Sequence, residues 1–407
     1  MSFDIRALHS DEFDGFFETL HGAFGAIPRA EEIARARRVL PVERALAAFE
    51  GGAMVGTTAT FPFTLTVPGG ELSAGGVTMV GVVPTHRRRG VLTELMRAQI
   101  SDSRRHKEPI TVLWASEGSI YQRFGYGLAT TMAEIDIERE RTTFLHHEPR
   151  TGAMRLISAE EALDVLPDVY EHVRRLTPGM FVRSREWWDA HTLPDPEEDR
   201  DGGGPRFIGV WESRTGIDGY ALYRVHSEWR DGVPGGRLEV DEVMAHSPVA
   251  VRALWTFLFG VDLVARIRAW KEPAEHPLYL MLAEPRRLRL RLQDGLWLRI
   301  VDLHAALEGR RYPVDGTVVF DLEDGLCPWN QGRWRLDVSG GSPHLDATSE
   351  APDIALRSED LAAAYLGGVG LDALQRAGRV REHSRGAVQL GAAMLSWTRP
   401  PWCPEIF

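Results

Sequence analysis

The feature that most constrains the fold is a strand, a turn and a helix within residues 77–105. The apolar segment 77–83 reads VTMVGVV and stops at Pro84, and the basic turn THRRRG follows. From residue 91 to 105 apolar side chains recur at helical spacing, and a second apolar segment occupies 110–115. Parallel strands need a long crossover, so this order predicts a parallel pair within a mixed sheet.

Similar patterns continue along the chain and predict an α/β (α+β) protein of three domains, at 1–150, 151–290 and 291–407. A chain of 407 residues is too long for one ordinary core. Helices are predicted at 11–24, 31–40, 358–366 and 388–397. A further helix is predicted to start at Ser247–Pro248, with Ser247 as its cap and with Leu254, Trp255 and Leu258 facing inward, and the segment 358–360 is the expected cap of the helix that ends before Gly367. Strands are predicted at 45–50, 54–65, 207–212, 219–229, 237–245, 317–321 and 333–338. The polar segment DPEEDRDGGGP at 195–205 is typical of an exposed loop.

The composition of the chain limits the classes of molecule that it is expected to bind. The chain carries 58 acidic and 47 basic residues, a formal net charge of −11, which disfavours nucleic acid and favours cationic small molecules or basic peptides. Its two cysteines exclude a disulfide framework and a Cys-rich zinc site, and we predict no metal. The acidic N-terminus is unlike a signal peptide and no apolar run is long enough to span a membrane, so we expect a cytoplasmic protein.

The turn at 84–90 has the properties of a phosphate-binding helix start. Free backbone N–H groups and the positive end of the helix dipole suit a diphosphate, and Gly90 lets it approach the backbone. Arg87 and Arg88 add charge and hydrogen-bond donors. Pro84 helps to splay the sheet and frees strand amides for an extended ligand. From these residues alone, a merely solvated basic helix start explains the turn equally well; a nucleic-acid patch and a Walker A loop fit less well.

Two longer motifs resemble one enzyme family. The segment RRRGVL at 87–92 is similar to the [QR]-x-x-G-x-[GA] motif of the GNAT acetyltransferases, with Leu92 in place of the small residue. The longer string PTHRRRGVL resembles the Eis (enhanced intracellular survival) subfamily, typically P-T-H-R-R-R-G-[LV]-L. The segment ASEGSIYQRFGYG at 115–127 matches the Eis pattern A-S-E-x-x-I-Y-x-R-F-G-Y-G. Weaker similarity continues to the end of the chain.

The resemblance implies two tandem GNAT-like domains, the second without a phosphate motif, and a C-terminal domain similar to sterol carrier proteins. It also implies a hexamer and an acetyl-coenzyme A co-substrate. Strand amides near Val80 are placed to polarise the acetyl carbonyl. The expected cofactor-binding residues are Val80, Gly81, Val82, Arg87, Arg88, Arg89, Gly90, Val91, Leu92, Thr93, Ser116 and Glu117.

The resemblance also assigns two catalytic groups. Tyr121 matches the family's general acid, and the α-carboxylate of Phe407 matches its general base. Without the family, a core tyrosine and a disordered tail are the simpler readings of these residues. Glu405 is a further candidate, as an acid lining a pocket for cationic amines, although a solvated acid is the usual explanation.

The resemblance predicts an N-acetyltransferase acting on a cationic amine, an aminoglycoside being the obvious case. A lysine side chain of a peptide or protein is the alternative acceptor. A lipid- or ligand-binding protein that uses the carrier-like domain is the alternative of another class. The family often carries an acid after the first helix, whereas FGAI at 24–27 offers none. We interpret His146 and His147 as surface residues, and Trp229 and Trp255 as core or pocket wall.

Overall fold

The computed structural model describes residues 3–147, 152–214 and 216–407. Its α-helices are α1 (Phe13–Ala23), α2 (Ala30–Val39), α3 (Val91–Arg105), α4 (Gly118–Tyr121), α5 (Ala159–Leu176), α6 (Arg185–Trp187), α7 (Pro248–Phe259), α8 (Leu278–Met281), α9 (Leu303–Glu308), α10 (Ser358–Ala364), α11 (Leu371–Arg376) and α12 (Ala387–Leu395). Its strands up to residue 245 are β1 (Asp4–Ala7), β2 (Ala45–Glu50), β3 (Ala53–Val67), β4 (Gly70–Val82), β5 (Ile110–Trp114), β6 (Gly127–Leu128), β7 (Thr131–Glu138), β8 (Ala153–Ile157), β9 (Phe207–Ser213), β10 (Gly216–His226), β11 (Trp229–Arg230), β12 (Val233–Pro234) and β13 (Arg237–Ala245). The later strands are β14 (Arg266–Pro273), β15 (Arg291–Asp294), β16 (Leu296–Ile300), β17 (Gly316–Glu323), β18 (Gly332–Ser339), β19 (Ser342–Ala347), β20 (Ile354–Arg357) and β21 (Arg381–Glu382).

The chain divides into two compact units. The first comprises residues up to 130 together with 296–401 and 406–407, and the second comprises 131–295 and 402–405. The first unit holds a seven-stranded sheet in the order β1-β2-β3-β4-β5-β16-β6 and a five-stranded sheet in the order β19-β18-β17-β20-β21. The second unit holds a seven-stranded sheet in the order β15-β7-β14-β13-β10-β9-β8.

The first sheet contains the predicted parallel crossover. Strand β4 runs parallel to β5, and α3 connects them. Leu95, Met96 and Ile100 are buried on the inner face of α3, as its apolar spacing predicts. Strand β16 lies antiparallel between β5 and β6, a long-range pairing that the sequence pattern did not predict.

The second unit repeats this strand, helix and strand arrangement. Strand β13 pairs in parallel with β14, and α7 connects them. As predicted, Ser247 caps α7, and Leu254, Trp255 and Leu258 are buried. Trp229, predicted as core or pocket wall, is instead 60% exposed, because it lies on the short hairpin β11–β12 outside the sheet. His146 and His147 are exposed, as predicted.

Helix α10 follows strand β20 of the five-stranded sheet and packs against β6 and β16 of the seven-stranded sheet in the same unit. A Cβ atom at Gly127 would lie 2.0 Å from the carbonyl oxygen of Glu359, so this contact requires glycine. Of the segment 358–360 predicted to cap α10, Ser358 is the first helical residue, and Asp360 accepts a hydrogen bond from the Arg357 N–H. Among the described residues, no helix combines the length and apolar character that crossing a bilayer requires.

Candidate active site

The first turn of α3 presents uncapped backbone amides. Gly90 is the N-cap residue, with a left-handed φ of 92° that favours glycine, and it supplies no side-chain cap. The N–H groups of Val91, Leu92 and Thr93 precede the first full helical hydrogen bonds, and no described side chain accepts from them. The helix start therefore offers a cluster of amide donors and a positive dipole end, which together suit an anion.

The three arginines before Gly90 have different surroundings. Arg87 donates to the Ala23 carbonyl at 2.5 Å and so braces the end of α1. Arg89 pairs with Glu50 at 2.6 Å. Arg88 is exposed, has a positive φ of 60° and forms no ion pair or hydrogen bond within the described ranges. Arg88 is thus the arginine of this turn whose guanidinium is available to an anion.

The sheet splays beside this turn, as predicted. Strand β4 pairs with β5 only over residues 74–76, whereas it stays paired with β3 as far as Val82. A register shift accompanies a positive φ of 53° at Met79, whose carbonyl accepts a hydrogen bond from the Thr57 hydroxyl. The segment containing Val80, Gly81 and Val82 is therefore an open strand edge for an extended ligand.

The segment after β5 provides the next candidates. Ser116 and Glu117 are exposed, and Glu117 precedes α4. Tyr121 ends α4 and packs in one apolar cluster with Val80 and Leu92. The bulky Leu92 is accommodated in that cluster, which explains the departure from the small residue of the GNAT pattern. The cluster brings the tyrosine together with two of the predicted cofactor residues.

The Tyr121 side chain is 5% exposed, and burial raises the pKa of its phenol to about 12. Its hydroxyl forms no hydrogen bond to any described residue, whereas the neighbouring Tyr126 hydroxyl bonds to Thr111 at 2.9 Å. Tyr126 is a satisfied core tyrosine. Tyr121 remains protonated at neutral pH and has a hydroxyl free to donate.

The tail at 402–407 is packed in place. The Phe407 ring meets Phe63 edge-on, with ring centroids 4.9 Å apart. Both cysteines are buried, and burial raises the pKa of Cys327 to about 11 and that of Cys403 to about 12. The tail is thus anchored by side chains on either side of the exposed Ile406.

Glu405 is buried in an ion-paired cluster. It is 6% exposed and accepts hydrogen bonds from Arg183 at 2.5 Å, His191 at 2.7 Å and Trp187 at 2.8 Å. Burial alone raises the pKa of this carboxyl, but the Arg183 charge and the hydrogen bonds outweigh burial and hold the pKa well below its usual range. Arg183, which sequence patterns did not single out, pairs with both Glu405 and Glu242, at 2.5 and 2.6 Å. Glu405 is therefore a buried, ion-paired carboxylate and not a solvated acid, and an amine-binding role for it stays a prediction.

Comparison with known proteins agrees with this geometry. Profiles of the acetyltransferase (GNAT) domain match residues 4–129 and 179–300, and a profile of the sterol carrier protein domain matches 303–404. An uncharacterized N-acetyltransferase of Streptomyces avermitilis is 41% identical over the full length of both chains. N-acetyltransferase Eis of Mycobacterium tuberculosis is 32% identical over 95% of each chain. The crystal structure of Eis1 from Mycobacterium abscessus superposes with a TM-score of 0.86 at 34% identity, covering 99% of this chain and all of that one.

The chain belongs to the Eis family of GNAT N-acetyltransferases. The predicted fold class is confirmed: two GNAT domains are followed by a domain of the sterol carrier type. The domain boundaries at residues 150 and 290 stay predictions. In this Eis-family chain, the uncapped helix start, the open strand edge and Tyr121 all lie within the first GNAT domain.

Proposed function

We propose that this enzyme transfers the acetyl group of acetyl-coenzyme A to a primary amine of a cationic acceptor. In this proposal Tyr121 is the general acid and the α-carboxylate of Phe407 is the general base. The observation that carries it is the α3 start, where three uncapped amides, a left-handed glycine and an unpaired arginine adjoin an open strand edge.

The donor is held by residues of the first GNAT domain. The amides of Val91, Leu92 and Thr93 and the Arg88 guanidinium bind the diphosphate, whereas Arg87 and Arg89 keep the turn in shape. The pantetheine chain lies along the free edge of β4, and an amide near Val80 polarises the acetyl carbonyl. Ser116 and Glu117 lie just beyond the C-terminal end of β5.

The chemistry needs a base for the amine and an acid for the thiolate. The acceptor nitrogen must be neutral, so the Phe407 carboxylate takes one proton from the ammonium group, directly or through water, and later releases it to solvent. The nitrogen then forms a bond to the acetyl carbon and the carbon–sulfur bond breaks. Tyr121 gives its proton to the departing thiolate and is reprotonated by the second proton, which the nitrogen loses as it becomes an amide. Burial of Tyr121 supports this role, because a pKa of about 12 keeps the phenol protonated throughout the working range.

The proposed class of acceptor is inferred from the net charge of the chain. The net charge of −11 favours a cationic molecule. However, the loop after α1 carries Phe24 and Ile27, which are 63% and 88% exposed, where the family often has an acid, and the buried Glu405 is already paired with Arg183. An aminoglycoside-like polyamine stays our first proposal and a lysine peptide the second, and we propose a hexamer from the family resemblance.

A lipid-carrying role gains no support from the interior of the carrier-type domain. Its apolar cavity, lined by residues including Phe320, Leu336, Leu361 and Met394, has a volume of about 20 Å³. This is room for about one water molecule and is far too small for a lipid.

The decisive experiment follows thiol release from acetyl-coenzyme A after amines are added. We expect release with an aminoglycoside, mass increments of one or more acetyl groups on the product, and slower release with a lysine peptide in direct competition. Light scattering checks the hexamer. Absence of both thiol release and coenzyme A binding by calorimetry would refute the proposal.

A further inference from the structure

A buried ion cluster in the second unit holds the beginning of the tail. The Arg183 guanidinium lies between two carboxylates, that of Glu242 in β13 and that of Glu405. Its Nε donates to Glu405 at 2.5 Å, and its two Nη atoms donate to Glu242 at 3.0 and 2.6 Å. All three residues are buried. We call this cluster of Arg183, Glu242 and Glu405 the tail anchor.

Arg183 is held by other residues of the second unit, independently of the tail. Its guanidinium lies 4.0 Å from the ring centroid of Tyr170 in α5 and 4.8 Å from that of Trp188. The Tyr220 hydroxyl of β10 donates to Glu242 at 2.5 Å and so orients that carboxylate. Because a guanidinium is planar, the two rings and the bidentate carboxylate restrict its orientation. Its Nε therefore points at one place, which Glu405 occupies.

Glu405 is held through both of its carboxylate oxygens. Oε2 accepts from Arg183. Oε1 accepts from the Trp187 indole N–H at 2.8 Å, the His191 ring at 2.7 Å and the Thr192 hydroxyl at 3.2 Å. A buried carboxylate is strongly unfavourable without a positive partner, so the pair with Arg183 ties Glu405 to the second unit.

The tail anchor lies two residues before the end of the chain. Residues 402–405 belong to the second unit, and residues 406 and 407 belong to the first. The last residues of a chain are ordinarily poorly ordered unless they are tied down. Two residues span at most about 7 Å, so a displacement of Glu405 is passed on to the α-carboxylate of Phe407.

We propose that Arg183 and Glu405 are positioning residues of the acetyl transfer: they fix the chain end so that the α-carboxylate of Phe407 lies where it accepts the amine proton. The second GNAT domain thereby serves turnover and not donor binding. A misplacement of about 1 Å can cost on the order of a hundredfold in rate, so a base on a chain end gains from such an anchor. The inference rests on the proposed function and adds to it what holds the base.

The first unit contains a cluster of the same design that holds no chain end. The Arg44 Nε donates to Asp102 at 2.9 Å, and its two Nη atoms donate to Glu108, both at 2.8 Å. These three residues are buried as well. Asp102 lies near the C-terminal end of α3, so it corresponds to Glu405 in geometry but has no link to the tail. It therefore provides a matched control.

Glu405→Ala tests the anchor, because Arg183 stays paired one to one with Glu242 and the second unit keeps a balanced charge. We expect kcat near neutral pH to fall on the order of thirtyfold with the KM for acetyl-coenzyme A unchanged. Asp102→Ala likewise leaves Arg44 paired with Glu108, and it should keep nearly full kcat. Urea denaturation checks that both variants fold.

The pH dependence separates a displaced base from general damage. Without a positioned base, only amine that has already lost its proton in solution can react. The rate of Glu405→Ala should therefore rise more steeply with pH than that of wild type, and the loss should shrink as the acceptor amine becomes neutral. The pKa of Glu405 is held well below its usual range, so the anchor itself stays charged over these pH values.

A double variant tests whether the anchor acts through the terminal carboxylate. In an enzyme already extended by three alanines beyond Phe407, adding Glu405→Ala should lower kcat no further, because the base is displaced before the anchor is lost. Two independent defects would instead multiply.

Arg183→Lys approaches the anchor from the other side. It keeps one positive charge between the two carboxylates but replaces the planar guanidinium by a single ammonium group. We expect a severalfold loss of kcat with the same pH dependence as that of Glu405→Ala.

Three results would overturn the inference: full kcat in Glu405→Ala, a loss that is equal at every pH, or losses that multiply in the double variant. Failure of the proposed function looks different, because the three-alanine extension alone would then leave kcat unchanged, or wild type would release no thiol.

Discussion

The two GNAT domains contain the same strand, helix and strand, but their helices begin differently. In the first, Gly90 leaves the α3 amides uncapped. In the second, the Ser247 hydroxyl accepts a hydrogen bond from the Ala250 N–H at 3.2 Å, and Pro248 at the first helical position has no N–H to offer. Of the three first-turn donors that would hold a diphosphate, the first is thus absent and the third is used in α7.

The gap between the parallel strands differs as well. Strands β13 and β14 pair over residues 237–240 and 266–269 and then diverge. Trp402 of the tail packs in one cluster with Met244 of β13, and its indole N–H donates to the Lys271 carbonyl of β14 at 2.6 Å. The protein's own tail therefore fills the place that in the first domain is an open strand edge.

This difference predicts that the donor binds to the first domain, because its helix start and strand edge are left unsatisfied. A capped helix and a filled gap make the second domain a stable support. Substitutions in the two domains test whether donor binding is confined to the first.

The largest expected effect is that of Tyr121→Phe, which removes the proton donor. We expect kcat to fall by about 10²–10⁴-fold with the KM for acetyl-coenzyme A little changed. Steady-state thiol release measures both constants. Tyr126→Phe is the matched control at a buried tyrosine of the same segment, and it should keep nearly full kcat. Equal losses in the two variants would remove the special role of Tyr121.

The second-largest effect is expected when the chain is extended by three alanines beyond Phe407. Moving the terminal carboxylate should lower kcat on the order of a hundredfold while coenzyme A binding, measured by calorimetry, persists. The same three residues added at the other end of the chain serve as the control. Undiminished turnover in the extended enzyme would assign the base elsewhere.

Arg88→Ala should raise the KM for acetyl-coenzyme A roughly tenfold, because an unpaired cation is lost from the helix start. Arg87→Ala is the comparison: it breaks the contact with the Ala23 carbonyl, so it should chiefly lower the free energy of unfolding, by about 1 kcal/mol. A larger KM effect at Arg87 would reverse the roles assigned to these neighbours.

In the second domain, Ser247→Ala removes the cap of α7. The expected cost is about 1 kcal/mol in the free energy of unfolding, measured by urea denaturation. Kinetic constants should not change. Altered acetyl-coenzyme A kinetics would show that the second domain takes part in donor binding.

The smallest expected effect concerns pH. An acid catalyst must be protonated, and the raised pKa of Tyr121 extends its protonated range upward. The rate should therefore rise as the acceptor amine loses its proton and show no fall below about pH 10. A descending limb near neutral pH, in a profile of kcat/KM, would point to another acid.

Local patterns predicted much of this molecule. Helix α3 has the bounds that its apolar spacing predicted, and the Ser247–Pro248 start of α7 is where capping chemistry placed it. These features depend on residues within a turn or two of one another, so the local sequence is enough to predict them.

Features that join distant residues were beyond such patterns. Strand β16 inserts beside β5, more than 180 positions earlier in the chain. Glu405 pairs with Arg183 across 222 positions, and no spacing rule connects them. The separate roles of Arg87, Arg88 and Arg89 also depend on which carbonyl or carboxylate the fold brings near each one.

The burial of both cysteines has a practical consequence. Their thiols are shielded, and their pKa values of about 11 and 12 leave almost no thiolate at neutral pH. A chromogenic disulfide added to an assay will therefore report free coenzyme A with little background from the folded protein. Without substrate, the slow rate at which such a reagent labels Cys403 measures how often the tail leaves its packed position.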